Sequence, residues 1–348
     1  MAFDFDFDLL KELTEERGVP GYEDRVRDLV REELETTTDD VRTDAMGNVV
    51  GTIEGDSDYA VAVAAHMDEI GFMVKHVTDD GFLKIDALGG WDARVLRAQR
   101  VTVHGEEDVT GVFGSVPPHT LDEEPDGDEE VGDRVVDLGR DAEEVEELVS
   151  VGDLVTMDQT TVQMGDSVTG KALDDRVCLF AMLEAAREIE NPDVTIHFCA
   201  TVQEEVGLRG ATALGVDVDP DLAIALDVTI ASDIPGVSAD KHVTELGDGA
   251  AIKLKDSSVI TTPKVHKRIT SVAEEEEIDH QIEVLPSGGT DTAGFQNTNG
   301  AKPVGAISIP TRYLHTVTET ANGDDIRATI DLLTAFLESE DGEHDYSL

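Results

Sequence analysis

The sequence predicts an α/β fold in which strands and helices alternate around a buried sheet, with a small all-β barrel inserted into it. Three observations lead to this prediction. Near-continuous apolar runs, such as residues 60–65 and 194–200, are typical of strands that are covered on both faces. Amphipathic stretches with helical spacing lie between such runs. From residue 70 to about 158, short β-type pieces punctuated by glycine indicate a barrel.

The first part of the chain predicts two helices and two strands. In the second helix, Val26, Val30 and Leu34 recur at helical spacing. Gly47-Asn48 is a turn signal before the next apolar segment. The predicted elements before the barrel are helices at 7–17 and 22–35, a turn with a strand at 47–53, and a strand at 60–65.

The barrel pieces and the second α/β part follow in order. Acidic residues Asp174 and Asp175 suit the N-terminus of a strongly apolar helix because of its dipole. Strand–helix alternation then continues to about residue 338. The predicted elements are strands at 71–74, 81–85, 101–103 and 111–113, a helix at 141–149, a strand at 151–155, a helix at 176–189, and strands at 194–200, 222–226 and 304–309.

This order of predicted strands and helices divides the chain into two domains. Residues 1–69 and 159–348 form the α/β domain, and residues 70–158 form the inserted barrel. Within the insertion, residues 119–133 are acidic and poor in large apolar groups, so we expect a mobile loop there. The acidic tail at 339–348 is expected to fray.

The composition is strongly acidic. Among 348 residues, 77 are acidic and 26 are basic, which gives a net charge of −51. The acids are spread along the whole chain and 40% of the residues are hydrophobic, so we interpret them as the surface of a folded protein from a salt-rich cytoplasm. The sequence contains no basic patch, which argues against a nucleic-acid partner.

Two cysteines and the N-terminal residues bear on the compartment. Cys178 and Cys199 lie in apolar runs and are expected to be buried free thiols, in keeping with a reducing, cytoplasmic environment. The N-terminus lacks the basic and apolar regions of a signal peptide, and no run of 18 apolar residues predicts a membrane span.

Several apolar runs lead into a His, Asp or Glu residue. In open α/β sheets, ligands bind at the carboxyl ends of the strands, so these side chains are expected to converge. Two adjacent acids, Glu204 and Glu205, follow the run at 194–200 and are hard to explain as packing. The predicted two-metal site consists of His66, Asp174, Glu205, Asp227 and His315.

The residue types specify the chemistry of this site. Imidazole together with carboxylate suits zinc or cobalt, and one carboxylate would have to bridge the two ions. Asp68 lies two residues beyond His66 and could fix its tautomer, which leaves Glu204 free to act as a general base.

Each of these residues has a structural explanation when taken alone. Asp174 could cap its helix, Asp227 could cap a turn, and the two glutamates could be a solvated pair. Their shared position at strand ends favours the metal site instead. The segment Gly288-Gly289-Thr290 is either a plain turn or a substrate loop, because adjacent glycines let the backbone approach a ligand closely.

Longer motifs around these residues resemble one family, the M42 or tetrahedral (TET) aminopeptidases. The resemblance runs from Gly18 to Thr316. It implies a mixed-sheet α/β/α metallopeptidase domain, an inserted dimerisation domain, and twelve-subunit tetrahedral shells built from dimers. The motifs that carry it are His66-Met67-Asp68-Glu69-Ile70-Gly71, Lys171-Ala172-Leu173-Asp174-Asp175-Arg176, Glu204-Glu205-Val206-Gly207-Leu208-Arg209-Gly210-Ala211 and Ile309-Pro310-Thr311-Arg312-Tyr313.

The resemblance also implies roles for the site residues. It makes Asp174 the bridge between two divalent ions, with His66 and Asp227 on one ion and Glu205 and His315 on the other. It makes Glu204 the base and Asp68 the residue that supports His66. Zn²⁺ is the expected metal, with Co²⁺ or Mn²⁺ as alternatives.

The sequence therefore predicts a dinuclear-metal aminopeptidase of a halophilic archaeal type that acts on peptides in the cytoplasm. A metallo-deacylase or carboxypeptidase with a similar ligand set, and a non-enzymatic scaffold, remain as alternatives. Histidine ligands do not suit the two-carboxylate chemistry of glycoside hydrolases. The preferred N-terminal residue of the peptide, the physiological metal and the homo- or hetero-oligomeric nature of a dodecamer stay open.

Overall fold

The structure is a computed structural model that describes residues 3–117, 119 and 130–348. Its strands form one large mixed sheet and one closed barrel, which confirms the predicted α/β fold with an inserted all-β barrel. The helices are α1 (Phe7–Glu15), α2 (Asp24–Thr37), α3 (Ala142–Leu148), α4 (Leu173–Glu188), α5 (Arg209–Val218), α6 (Pro263–Glu275), α7 (Asp291–Gln296) and α8 (Gly323–Glu338). The strands are β1 (Asp40–Thr43), β2 (Val49–Ile53), β3 (Ser57–His66), β4 (Gly71–Val77), β5 (Leu83–Leu88), β6 (Arg100–His104), β7 (Asp108–Phe113), β8 (Val135–Asp137), β9 (Leu154–Met157), β10 (Val162–Met164), β11 (Ser167–Gly170), β12 (Val194–Thr201), β13 (Leu222–Ile230), β14 (Ala250–Lys255), β15 (His280–Val284), β16 (Val304–Arg312) and β17 (Glu319–Asn322).

Four parallel strands form the centre of the large sheet, in the order β12, β3, β13, β16. Strand β2 pairs antiparallel with β12 on one side, and β14 and β17 pair antiparallel with β16 on the other. Because the four central strands run in the same direction, their carboxyl ends lie at one edge of the sheet. That edge is where a ligand is expected to bind.

Helices cover both faces of this sheet. Side chains along β3 alternate between the faces: Val61, Val63 and Ala65 belong to the main core with α4 and α8, whereas Ala62 and Ala64 pack with residues of α5 and α7. This arrangement is a three-layer α/β/α domain. It explains why the central strands read as continuous apolar runs, since both sides of each strand are buried.

The six strands β4 to β9 close into a barrel in the order β4-β5-β8-β7-β6-β9. The barrel has its own hydrophobic core, in which Phe72 stacks on Trp91 with ring centroids 5.0 Å apart. The mobile loop expected at 119–133 lies mostly outside the described residues, which include only 119 and 130–133 of that segment. Residues Val131–Asp133 form a 3-10 turn.

Two elements extend further than their apolar runs predicted. Strand β3 includes His66 as its last residue, and β13 continues to Ile230, so Asp227 lies inside a strand rather than after it. Asp227 pairs with Ser308 of β16 in the parallel ladder. A buried acid interrupts the apolar pattern of a strand without interrupting its main-chain hydrogen bonds, which is why the sequence placed the strand end too early.

The C-terminal tail packs more closely than expected. Tyr346 is 5% exposed, contacts the main core and donates a hydrogen bond to Glu340. Both cysteines, Cys178 and Cys199, are buried free thiols, as predicted. Within the described residues, no helix combines the length and the apolar character that crossing a membrane requires.

Candidate metal centre

The candidate site lies at the carboxyl ends of the central strands. His66 ends β3 and pairs in register with Thr201 at the end of β12. Glu204 and Glu205 follow three and four residues after Thr201. Asp227 lies in β13, and His315 follows the end of β16 by three residues. The fold thus brings residues from four neighbouring strands to one place.

Asp174 comes from a different element, the start of α4, which follows β11. Asp174 and Asp175 have non-helical backbone angles, and the peptide bond between them is cis. The two carboxylate oxygens of Asp174 face different partners. Its Oδ1 lies 3.3 Å from Nε2 of His66, and its Oδ2 lies 3.4 Å from Nε2 of His315.

The polar side chains therefore form two groups that share Asp174. The first group is His66, Asp174, Asp175 and Asp227, and the second is Asp174, Glu205 and His315. Within each group, one potential ligand atom per residue lies within 4.8 Å of those of the others. All five predicted ligands belong to these groups, and Asp175 is an addition that the sequence argument did not include.

Donor distances in both groups suit a small divalent cation. Tetrahedral zinc with bonds of about 2.0–2.1 Å places neighbouring donors about 3.3 Å apart. The contacts of Asp174 with the two imidazoles match this spacing, and Nε2 of His315 lies 3.8 Å from Oε1 of Glu205. The residues present thus fit a pair of such ions bridged by one carboxylate.

Main-chain carbonyls fix the orientation of both imidazole rings. Nδ1 of His66 lies 3.0 Å from the carbonyl oxygen of Asp68, and Nδ1 of His315 lies 2.6 Å from that of Gly90. Because a carbonyl can only accept, each Nδ1 carries the hydrogen, and Nε2 can present a lone pair to a cation. Gly90 follows β5, so the barrel segment contributes to the site.

Asp68 makes further contacts besides the expected one with His66. Its carboxylate accepts hydrogen bonds from the main-chain N–H groups of Glu204 (3.0 Å) and Glu205 (3.1 Å) and is fully buried. Its carboxylate oxygen lies 3.5 Å from Nδ1 of His66, further than its own main-chain oxygen. Asp68 therefore holds the turn that carries both glutamates as well as adjoining the imidazole.

Burial and like charges raise the pKa values of several carboxyl groups in the site. Burial, followed by the charge of Asp174, raises the pKa of Glu205 to about 8. Burial also raises the pKa of Glu204, and the positive charge of His66 opposes the rise. For Asp227, burial and the charges of Asp175 and Asp174 raise the pKa well above its usual range. Divalent cations would relieve this crowding of negative charge.

The histidines show the opposite balance. Burial would lower the pKa of His315, but its hydrogen bond and charge interaction with Asp174 outweigh burial and raise that pKa to about 10. The same competition raises the pKa of His66, where the hydrogen bonds to Asp174 and Asp68 oppose the effect of burial. Without a cation these imidazoles would hold protons, so metal binding competes with protons at the site.

The candidate ligands line a cavity of about 360 Å³. Gly288 and Gly289 of the predicted substrate loop also line it, together with Gly207 and Leu208. Thr290 does not face the cavity. Its hydroxyl donates to Thr292 at 2.8 Å and lies 3.5 Å from Asp256. Thr290 therefore helps to hold the loop in place.

Sequence reasoning missed several buried charged residues around the ligands. Asp175 accepts a hydrogen bond from the main-chain N–H of His66 at 3.1 Å. Lys171 forms a buried ion pair with Glu69 at 2.7 Å. The guanidinium of Arg176, also fully buried, donates to the carbonyl oxygens of Met67 and other residues. All of these residues lie within the motifs given above, so their closeness in sequence to the candidate ligands was the signal that could have identified them.

Comparison with known proteins adds a separate line of information. A family model described as M42 glutamyl aminopeptidase matches residues 47–332. The lysyl aminopeptidase of Pyrococcus furiosus is 37% identical over 341 residues, which cover 96% of this chain and 97% of that protein.

Solved structures of similar proteins share the fold over nearly the full length. The aminopeptidase APDkam598 from the archaeon Desulfurococcus kamchatkensis superposes with a TM-score of 0.92 at 39% identity, covering 96% of this chain and 94% of that one. The TET1 peptidase of Pyrococcus horikoshii, described as able to assemble into a tetrahedron or a large octahedral shell, has a TM-score of 0.87 at 32% identity, covering 96% and 99%.

Proposed function

The chain belongs to the M42 aminopeptidase family, and on that premise we propose that it is a two-metal aminopeptidase that removes N-terminal residues from peptides. The observation that carries the proposal is the position of Asp174 between two imidazoles, with one carboxylate oxygen facing each. A single carboxylate between two sets of His and acid ligands is the arrangement that a two-ion hydrolytic centre requires.

In this proposal the two side-chain groups hold one ion each. His66 and Asp227 would hold the first ion, Glu205 and His315 would hold the second, and Asp174 would be shared between the two sets. Zn²⁺ suits this mixture of imidazole and carboxylate, as do Co²⁺ and Mn²⁺. Asp175 supplies a further carboxylate near the first ion, with its Oδ1 lacking a hydrogen-bond partner within the described residues.

The chain's own residues would perform the proton transfers. When bound, the ions supply Lewis acidity and lower the pKa of a water molecule. Glu204 lines the cavity and is not needed as a ligand, so its carboxylate can take the proton from the attacking water and pass it to the leaving amine. Asp68 accepts a hydrogen bond from the main-chain N–H of Glu204 and so fixes the backbone position from which the Glu204 side chain extends. Gly288 and Gly289 would let a peptide backbone approach closely.

The test compares Glu204→Gln with Glu205→Gln. Glu204→Gln should keep two ions per chain and lose about 10²-fold or more in kcat on aminoacyl anilides. Glu205→Gln, which alters the neighbouring residue in the same turn, should lose both metal and activity. Metal content is measured on the same samples. Near-normal turnover of the Glu204 variant would remove Glu204 from the mechanism.

Substrate classes separate the aminopeptidase from the alternative hydrolases. An aminopeptidase cleaves aminoacyl anilides with a free α-amine and spares the matching N-acyl compounds. Cleavage of N-acyl or C-terminal substrates without action on free amines would favour a deacylase or a carboxypeptidase. Purification without any bound or bindable divalent metal would favour a non-enzymatic scaffold.

We also propose that the protein works as a closed tetrahedral shell of twelve subunits in a salt-rich cytoplasm. The similarity to the shell-forming TET1 peptidase supports the assembly, with residues 70–158 as the dimerisation domain and residues 1–69 and 159–348 as the catalytic domain. The net charge of −51 and the two buried free thiols support the setting. A shell would restrict the substrates to unfolded peptides.

A further inference from the structure

Glu319 is a buried carboxylate that joins two ligand segments. It is 2% exposed, and its two oxygens accept hydrogen bonds from different main-chain N–H groups. Oε1 accepts from His315 at 2.8 Å, and Oε2 accepts from Asp174 at 3.0 Å. The segments that carry these two ligands lie 141 positions apart in the sequence, yet one side chain binds both.

The sheet explains how Glu319 reaches both segments. Strand β17, which begins at Glu319, lies between β11 and β16, and Glu319 pairs directly with Gly170 of β11. The chain leaves β11 at Gly170 and reaches Asp174 four residues later. It leaves β16 at Arg312 and reaches His315 three residues later. Glu319 thus sits between the two strands that lead into the ligand segments.

Both segments have irregular backbones that need such support. His315 has φ of 57° and Tyr313 has φ of 60°, values that are uncommon for residues other than glycine. Asp174 also departs from helical geometry at the start of α4. Regular main-chain hydrogen bonding cannot hold these residues in place, so the side chain of Glu319 does so through its two hydrogen bonds.

We propose that Glu319 is a positioning residue that sets the separation of Asp174 from His315 and thereby controls the affinity for the second ion. The inference rests on the two-ion function proposed above. It concerns the protein's metal affinity, and Glu319 itself contacts neither ion nor substrate in this proposal.

The effect should be selective for the second ion because of where the partners of Glu319 lie. Both partners, Asp174 and His315, belong to the second group of ligands. Of these two partners, the first group contains only Asp174. Its histidine, His66, is held separately by Asp175 at the main-chain N–H and by the carbonyl of Asp68 at the ring. Loosening Glu319 should therefore disturb the second ion much more than the first.

Glu319→Gln is the sharpest substitution. The amide has the same shape but offers one acceptor oxygen, and its NH₂ group would face a main-chain N–H that it cannot bind. Glu319→Asp keeps the charge but shortens the side chain, so it cannot reach both amides. Glu319→Asp changes the length of the side chain, and Glu319→Gln changes its charge, so the two variants test these properties separately. If one variant folds poorly, the other still tests the proposal.

Asp325 offers a matched control. It is fully buried, and its oxygens accept hydrogen bonds from the main-chain N–H groups of Gly247 and Gly249, both at 2.8 Å. Asp325→Asn therefore removes the same kind of double acceptor from a segment that carries no proposed ligand. Any general loss of stability should appear in this variant as well.

The experiment is a Zn²⁺ titration of the metal-stripped proteins by calorimetry, with bound metal counted by mass spectrometry. Wild type should bind two ions. Glu319→Gln and Glu319→Asp should bind the second ion about 10- to 100-fold more weakly and the first within a few-fold of wild type. Asp325→Asn should match wild type for both ions.

Each other outcome has a defined meaning. Unchanged binding of the second ion in both Glu319 variants overturns the inference and leaves the proposed function intact. Equal weakening of both ions, or the same weakening in Asp325→Asn, shows a general structural role and also overturns it. If wild type binds fewer than two ions, the proposed two-ion function fails and this inference fails with it.

Discussion

Replacing Lys171 by Met should destabilise the protein strongly, because Lys171 neutralises a buried acid beside the metal centre. Its Nζ lies 2.7 Å from Oε2 of Glu69, and the two side chains are 6% and 3% exposed. The other oxygen of Glu69 accepts from the main-chain N–H of Gly18 at 3.2 Å. Glu69 lies three residues after His66, and Lys171 lies three residues before Asp174, so the pair ties two ligand segments together.

The expected magnitude follows from this burial. Removing one partner of a buried ion pair leaves the other charge unpaired and costs about 3–5 kcal/mol of unfolding free energy. The Arg176 guanidinium is close enough to interact with Glu69 and partly replaces the lost charge. We therefore expect the lower end of the range, about 3 kcal/mol, for Lys171→Met.

A double-mutant cycle measures this. Urea unfolding of the metal-stripped protein, at one protein concentration, is compared for wild type, Lys171→Met, Glu69→Gln and the double variant. The loss of unfolding free energy in the double variant should be about 2 kcal/mol smaller than the sum of the losses in the two single variants, because neither member of the pair is left as an unpaired charge. Additive effects within about 0.5 kcal/mol would show that the two residues do not interact and would refute the reasoning.

A second buried pair separates stability from metal binding. Lys253 donates to Glu283 at 2.5 Å, both residues are fully buried, and the pair joins β14 to β15, neither of which carries a candidate ligand. Lys253→Met should destabilise the protein to a similar degree and leave Zn²⁺ affinity unchanged. Lys171→Met should also weaken Zn²⁺ binding. Equal metal affinities for these two variants would contradict a link between the Lys171 pair and the metal centre.

Two further predictions concern pH and assembly. Burial raises the pKa of Glu23 from its ordinary value of 4.5 to about 7, so the folded protein keeps a proton that the unfolded chain releases between these values. The free energy of unfolding of the wild type should therefore fall by on the order of 3 kcal/mol relative to that of Glu23→Gln as the pH rises from 4.5 to 7, and should not change further at higher pH. Urea unfolding at several pH values measures this difference, and a difference that does not vary with pH would contradict the prediction. Light scattering at high salt should give roughly 450 kDa, twelve times the 37.5 kDa chain, and a monomer mass would end the shell proposal.

The central strands could be predicted from the sequence because both of their faces are buried. The runs at 60–65 and 194–200 correspond to β3 and β12, and their polar ends mark the edge where the site lies. Strands β10 and β17 are short, and three of the four residues of β17 are polar or charged, so no apolar run revealed them. The sheet margins are therefore visible only in the structure.

The candidate ligands could be named from the sequence, whereas the residues that orient them could not. Four of the five candidate ligands are a His or an acid into which an apolar run leads, and this is a local pattern. The partners of Glu319 are set by strand pairing between distant segments, for which a single sequence carries no pattern. Asp68 adjoins the imidazole of His66, and its carboxylate also binds the main chain of Glu204 and Glu205, a contact that the sequence did not reveal because it depends on how β12 lies beside β3.

Main-chain contacts of three buried carboxylates explain how the centre is organised. Asp175 accepts from the N–H of His66, Asp68 from those of Glu204 and Glu205, and Glu319 from those of Asp174 and His315. The ligand atoms themselves must stay free to bind a cation, so the backbones of these residues, together with Nδ1 of each imidazole, are what remain for positioning. Asp227 has no need of such a partner, because it lies within β13 and the parallel ladder with β16 already holds its backbone.

This division of labour has an electrostatic consequence. Each carboxylate that holds a ligand backbone adds a negative charge to a site already crowded with acids, and burial raises the pKa of Glu319 to about 8, with Asp174 adding to the rise. Neutral groups such as Asn or Gln would avoid this charge, but each places an NH₂ group where the second carboxylate oxygen stands, so it cannot accept from two main-chain N–H groups that face different oxygens. A pair of divalent cations, as proposed above, would compensate the negative charge, so the same acids that position the candidate ligands would also strengthen the attraction of the site for metal.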